Sequence, residues 1–363
     1  MTEGQQQALH TDKVVADYFV IETHILSTRS ADAYKAIDRS RNSPVCLWML
    51  RHPLEVNSDA VRRFLDRMYQ IDQIDPPLAD TSAYGVDAEG TAFSLFPPLD
   101  GYSVVSGNIE THEAERRFIS ALRHVQRLHD VGIVCGDLCG SSFWVNREGE
   151  LRFLGIMGSF DTEAAATAMA PPLDTIPYLA PEQRGGGGVE PTTDVFALGV
   201  LGYYLLTKHY PYGEGMALLG AQLDASRIPP VSQECRIPPV WADEVLRKCL
   251  SPRPEDRYRS AGEVLSQISE IRQRVFSEES APVAKKSTTP SAPKAPQPRQ
   301  KLESFATPPR SASASMPVVQ PEEAVVKSRK TLLLGGFVVV LLALFLLPGL
   351  FRTEGKEEVS NNL

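Results

Sequence analysis

Three short stretches near the start of the chain are rich in apolar and β-branched or aromatic residues: Tyr18-Phe-Val-Ile21, Asp32-Ala-Tyr-Lys-Ala-Ile37 and Pro44-Val-Cys-Leu-Trp-Met-Leu50. Each is bounded by polar turn residues, so the pattern predicts three β-strands within Asp17–Leu50. The period then lengthens. From Ser58 to Ile74, Val61, Phe64, Leu65, Met68 and Ile71 recur three and four residues apart, the spacing of a helix with one apolar face. Two more short strands flank the turn Asp87-Ala-Glu-Gly90, and the rest of the globular part reads as helical. Glu113–His129 carries Phe118, Leu122, Val125 and Leu128 on one face, and Ala261–Val275 carries Val264, Leu265, Ile268 and Ile271. Asp194–Leu206 is apolar nearly all round yet too short to cross a bilayer, which predicts a buried core helix. Strands with one helix, followed by a helical region, predict an α+β molecule of two lobes.

The pattern ends near Phe276. From Ser277 the sequence turns to Pro, Ser, Ala, Thr and Lys with almost no large apolar residues, so 277–330 is expected to be a disordered linker that buries too little to offset chain entropy. Thr331–Phe351 then runs 21 residues without a charge. At about 1.5 Å per helical residue it matches a bilayer core of about 30 Å. Lys327, Arg329 and Lys330 precede this span, whereas Arg352 and Lys356 follow it among three glutamates. Excess Lys/Arg on the leading side places the globular part in the cytoplasm, anchored to the cytoplasmic membrane by a single pass. The short tail 352–363 is expected outside. The N-terminus carries no basic region followed by an apolar run, so no export signal is expected.

Charge excludes one class of partner. Of 37 basic and 45 acidic side chains, 11 and 8 lie after Phe276; residues 1–276 are left with 26 and 37, a net charge of −11. Nucleic acid is therefore not expected as a partner. The five cysteines, Cys46, Cys135, Cys139, Cys235 and Cys249, are odd in number and scattered, which suits a reducing compartment without disulfides. Cys135 and Cys139 are close, but no second Cys/His pair with zinc-like spacing accompanies them.

Three motifs in order tie the chain to a family. Tyr178-Leu-Ala-Pro-Glu-Gln183 matches the A-P-E motif, Asp194-Val-Phe-Ala-Leu-Gly199 the start of a central helix, and Arg253-Pro-Glu-Asp-Arg-Tyr-Arg-Ser260 a late structural segment. Over 17–276 the chain resembles the bacterial serine/threonine protein kinases. The resemblance implies a kinase-like domain with a small β-rich lobe and a larger helical lobe. It also implies that Arg257 pairs with Glu182 and that Thr175, Glu182, Asp194 and Arg257 hold the fold.

The positions of phosphoryl-transfer chemistry depart from the family. Such chemistry needs close backbone approach to the phosphates, a Lys on them, a Glu holding the Lys, and Mg²⁺ ligands. By register, the three glycines of the phosphate loop are Leu26, Thr28 and Ala31. The Lys is Trp48 and its helix partner Glu is Arg67. In Ile133-Val-Cys-Gly-Asp-Leu-Cys-Gly-Ser-Ser142, the base position keeps Asp137, while Cys135 replaces His, Cys139 replaces Lys and Ser142 replaces the metal-binding Asn. The D-F-G Asp falls on Gly155. Trp144 falls where an aliphatic residue lies beneath the adenine ring; with Trp48 it is expected either to fill the vacated cleft or to be an ordinary core aromatic.

Asp137 is thus open to two readings, a retained base or a structural remnant, and Thr175 is expected to hydrogen-bond it. The first functional reading is a membrane-tethered pseudokinase that acts as a regulator or scaffold and needs no cofactor. Its expected partners are cytoplasmic proteins, such as an active kinase, or a phosphothreonine-reading domain drawn to Thr289-Pro290 and Thr307-Pro308. The second is an active kinase with displaced groups, using ATP and Mg²⁺. The third makes the linker and span the functional part.

Overall fold

The structure is a computed structural model in which residues 12–56, 58–74, 78, 83–157, 172–215 and 222–280 are described. The chain divides into two compact units, Met1–Lys286 and Ser287–Leu363, and every described residue lies in the first. Most of the expected linker, both Thr-Pro pairs and the apolar run 331–351 lie outside the described residues. Among the described residues, no helix is long and apolar enough to cross a membrane.

The first lobe is a six-stranded antiparallel sheet in the order β1-β2-β3-β4-β6-β5. Its strands are β1 (Val14–Val15), β2 (Phe19–Ser27), β3 (Ala31–Asp38), β4 (Ser43–Leu50), β5 (Ala83–Val86) and β6 (Ala92–Phe96). The predicted strands are present, and β1 pairs with β2 ahead of the expected start at Asp17. Alternation along β4 sends Leu47 and Met49 to an outer cluster with Ile21, Tyr34 and Phe93. Cys46 and Trp48 face the main core instead. Helix α1 (Asp59–Asp72) packs there through Phe64, Met68 and Ile71, with the Ser58 hydroxyl accepting from Val61 N at its start. Leu65, expected on that face, is exposed.

The second lobe is helical around a small sheet, β7 (Tyr102–Ser103), β8 (Phe143–Val145) and β9 (Leu151–Phe153). Its helices are α2 (Thr111–Asp130), α3 (Pro181–Arg184), α4 (Pro191–Thr207), α5 (Val231–Glu234), α6 (Ala242–Cys249) and α7 (Ala261–Ser280). Helix α4 is buried nearly all round, as its composition predicts. Its glycines permit this: a Cβ at Gly202 would lie 2.8 Å from the Phe118 ring of α2, and one at Gly199 would lie 2.7 Å from Cys249 Cβ of α6.

Two buried charges fix the lobe. Arg257, whose side chain is fully buried, grips Glu182 bidentately at 2.8 and 2.9 Å. Its remaining N–H groups donate to the carbonyls of Ser251, Pro252 and Thr192, and Thr193 Oγ1 donates to Glu182 Oε1. Burial pushes the Glu182 carboxyl up, but the Arg257 hydrogen bonds and charge prevail and hold it below the usual range. The second charge, Asp194 on α4, faces the loop that carries Asp137.

Replacing Glu182 with alanine strands a buried guanidinium and should cost about 3–5 kcal/mol in urea denaturation. Because the folded carboxyl is depressed, its contribution is full above the unfolded pKa and is lost as pH falls through the folded value. The stability gap between wild type and Glu182→Gln should therefore narrow as pH drops from about 6 to about 3.

Candidate active-site cleft

The loop after α2 is shaped from below. The Asp194 carboxylate, 1% exposed, accepts from Cys135 N at 2.8 Å and Gly136 N at 2.7 Å. His129 at the end of α2 donates from Nε2 at 3.0 Å, a tautomer fixed by Ala261 N donating to its Nδ1. Gly136 sits at φ +65°, which aims the next residue into the cleft at no steric cost. Its carbonyl accepts from Gln183 Nε2 and from Arg29 Nη2. Asp137 is thereby set at the floor of the cleft, 7% exposed.

What caps Asp137 comes from the other lobe. The β2–β3 turn, where a phosphate loop is expected, brings Ser30 N to 2.9 Å and Ser30 Oγ to 2.5 Å from Asp137 Oδ2. Arg29 N donates to Oδ1 at 3.3 Å, and Arg29 Nε lies 3.8 Å from the same oxygen. Both carboxylate oxygens are engaged. The turn itself is stiff: Thr28 N donates to Ala31 O, and Ala31 N donates to the Thr28 hydroxyl. The flanking strands are tied by Asp32, which accepts from Ser27 Oγ at 2.6 Å and from Arg51 Nη2 at 3.0 Å.

Thr175 does not reach Asp137 as expected. Its hydroxyl donates to the Pro172 carbonyl at 2.8 Å, because a backbone acceptor three residues away is met within the same turn. Arg67, at the position expected to hold Glu, donates to the Val134 carbonyl and so joins α1 to the extended segment leading into Asp137. Burial lowers the Arg67 pKa, while the Cys135 thiol and the Asp194 charge raise it.

The metal positions are filled by packing. Ser142 is fully buried, its Oγ accepting from Cys139 N and its carbonyl from Leu154 N. Gly155 opens a 3₁₀ turn, and a Cβ there would lie 2.9 Å from Ser142 Cβ and 3.0 Å from the Phe153 ring. Strand β4, bearing the fully buried Trp48, packs against this turn. Burial pushes the Cys139 thiol up to about 12 and Cys135 well above its ordinary value, so neither is a thiolate ligand or nucleophile. Among the described residues, no group of three or more His, Cys, Asp or Glu is placed to hold a metal ion. The Mg²⁺ ligands that the family resemblance implies at 142 and 155 are a serine and a glycine here, and neither offers a side-chain carboxylate or amide.

Trp144 and Trp48 have separate places. The Trp144 indole donates to the Asp100 carbonyl at 2.5 Å, beneath the segment joining the lobes, whereas Trp48 is paired within the sheet to Ala33 and Ser94. A cavity of about 170 Å³ lies beside Trp144 and the 96–100 segment, smaller than the roughly 300–1,000 Å³ of a drug-sized site. The motifs located the loop, but His129, Gln183, Arg29 and Ser30 carry no sequence mark of their roles, since their partners lie far away in the chain.

No family model matches the chain. It is 36% identical over 176 residues to the serine/threonine-protein kinase Pkn1 of Myxococcus xanthus, covering 45% of this chain and 25% of that protein. It is 26% identical over 253 residues to the serine/threonine-protein kinase PknL of Mycobacterium tuberculosis, covering 67% and 63%. The chain spans 25–40% of the length of Pkn1 and of two further curated relatives that it matches. Among solved structures, the Mycobacterium tuberculosis PknI kinase domain matches with a TM-score of 0.51 at 17% identity, over 72% of this chain and 98% of that one. The fold is that of a protein kinase domain, and the chain is a kinase-like protein related to the bacterial serine/threonine kinases.

Proposed function

We propose that this chain is a pseudokinase, a kinase-shaped regulator or scaffold that binds protein partners and transfers no phosphate. The observation that carries the reading is the state of the cleft. Asp137 is engaged by Arg29 and Ser30 on both oxygens, and the Gly155 position is backed by Ser142 and Phe153 with no room for a side chain. A lone base contributes about 10²–10⁴ in rate, and little of that is realised without the cations that neutralise charge on the transferred group. The 21-residue apolar run Thr331–Phe351 supports a single-pass anchor in the cytoplasmic membrane, with the kinase-like domain in the cytoplasm. The partners proposed are cytoplasmic proteins, an active kinase or a phosphothreonine-reading domain among them.

Two observations favour a second reading, an active kinase using Mg-ATP: an Asp stands at the base position, and the relatives are named as kinases. Thermal unfolding with millimolar Mg-ATP separates the two. Ligand at 100 times its Kd stabilises by about 2.7 kcal/mol, which in a domain of this size raises Tm by roughly 5–10 °C. The pseudokinase reading expects a rise below about 1 °C, and phosphate transfer to a Ser/Thr peptide no greater than that of Asp137→Asn. A metal-dependent rise, with transfer lost in Asp137→Asn, would overturn it.

Restoring the family's Asp at 155 should not restore the metal. Gly155→Asp is expected to destabilise by about 1–3 kcal/mol through overpacking. Calorimetric titration of that variant with Mg²⁺ should remain flat.

A further inference from the structure

We infer that the β2–β3 turn is a built-in substrate mimic: Ser30 fills, from within the chain, the place of an acceptor hydroxyl at Asp137, and with Arg29 it latches the two lobes together. This does not rest on the pseudokinase reading, since it concerns who occupies Asp137 and not whether phosphate moves.

The chemistry of the contact is that of a bound substrate. In phosphoryl transfer to a hydroxyl, the loop Asp accepts the hydrogen bond of the attacking O–H. Ser30 Oγ donates to Asp137 Oδ2 at 2.5 Å, in that same relation. A peptide hydroxyl approaching Asp137 would meet Ser30 already there. The Ser30 and Arg29 backbone N–H groups, at 2.9 and 3.3 Å, add donors that no substrate side chain supplies.

Three further features make this a latch in place of a chance touch. Arg29 reaches past the carboxylate to the Gly136 carbonyl at 3.1 Å, so turn and loop are joined at two successive residues. The turn is braced behind: Arg51 N donates to the Ser30 carbonyl at 2.9 Å, and Arg51 also holds Asp32. A second tie, Arg67 to the Val134 carbonyl, joins the same two lobes on the α1 side. The chain thus bridges its own lobes at both ends of the loop segment 134–137, and opening requires the Asp137 contacts to break together.

Amide hydrogen exchange on the full-length protein tests this across the lobes. In wild type, the segment 26–31 should be protected although its tip, 28–30, lies in the turn between β2 and β3. Asp137→Ala, a change in the other lobe, should speed its exchange about tenfold or more, as expected for loss of hydrogen bonds to a charged acceptor. Ser30→Asp sets carboxylate against carboxylate and should speed exchange in both 26–31 and 131–139 more than Ser30→Ala does. Both effects together are the expected result. Unchanged exchange of 26–31 in Asp137→Ala would overturn the latch, as would equal behaviour of Ser30→Asp and Ser30→Ala. Should Asp137→Ala fail to fold, Arg29→Ala carries the same test in reverse: exchange in 131–139 must rise, and no change there overturns the proposal. Mg-ATP is absent from every sample, so failure of the latch and failure of the pseudokinase reading are separate outcomes.

Discussion

The Asp194 carboxylate is the contact on which the functional region depends. Burying a carboxylate is costly unless its oxygens are met by donors. Here three donors meet it: two consecutive backbone amides of the loop and the His129 imidazole. Helix α4 cannot turn to relieve the charge, because it is packed on all sides and its glycines leave no slack against α2 and α6. The loop must therefore come to Asp194. Once residues 135 and 136 are pinned, the left-handed Gly136 leaves Asp137 one direction to point. The aspartate's position follows from the core, and would follow whether or not the cleft did chemistry.

Above that floor, the cleft has been rebuilt from groups that satisfy one another. A kinase cleft is bridged by charges that a nucleotide and metals complete. Losing only one member of a partly buried ion pair would leave the other unpaired at high cost, so joint loss is the stable outcome. Trp48 takes one such place and packs into the core, while Arg67 takes the other and turns to a backbone carbonyl. Ser142 and Gly155, at the positions register assigns to metal ligands, are closely packed, the serine carbonyl accepting from Leu154 N. The two lobes are joined by contacts of the polypeptide itself, Arg29 and Ser30 to Asp137 and Arg67 to Val134.

Much of this was legible in the sequence, and what was missed follows a rule. Local pattern reports local structure: β2, β3, β4, α1, α2 and α7 lie where the apolar runs and the 3.6-residue spacing put them, and α4 where its nearly continuous apolar composition put a buried helix. Leu65 was misplaced because a residue at the margin of an apolar stripe can fall on either side. Register places Leu26, Thr28 and Ala31 at the family's glycine positions, but pattern says nothing of where a turn tip docks 107 residues away. The expected Thr175–Asp137 bond failed for the same reason in mirror image. A hydroxyl has a backbone acceptor three residues off at small entropic cost, and the distant carboxylate already had donors.

The residues at the family's glycine positions and the occupation of Asp137 belong to one hairpin. Glycine permits close approach of backbone to phosphate, but it leaves a turn with more conformational freedom to lose on folding. Thr28 at the second of those positions closes the turn through its own hydroxyl and backbone, and Asp32 with Arg51 stiffens the hairpin behind it. A stiff hairpin holds its tip in one place and pays little ordering entropy when the tip makes a contact. The side chains that obstruct a phosphate are therefore the ones that deliver Arg29 and Ser30 to Asp137. Restoring glycine at 28 alone would loosen that delivery without supplying the cations a phosphate needs, so each departure from the kinase pattern makes the others less reversible.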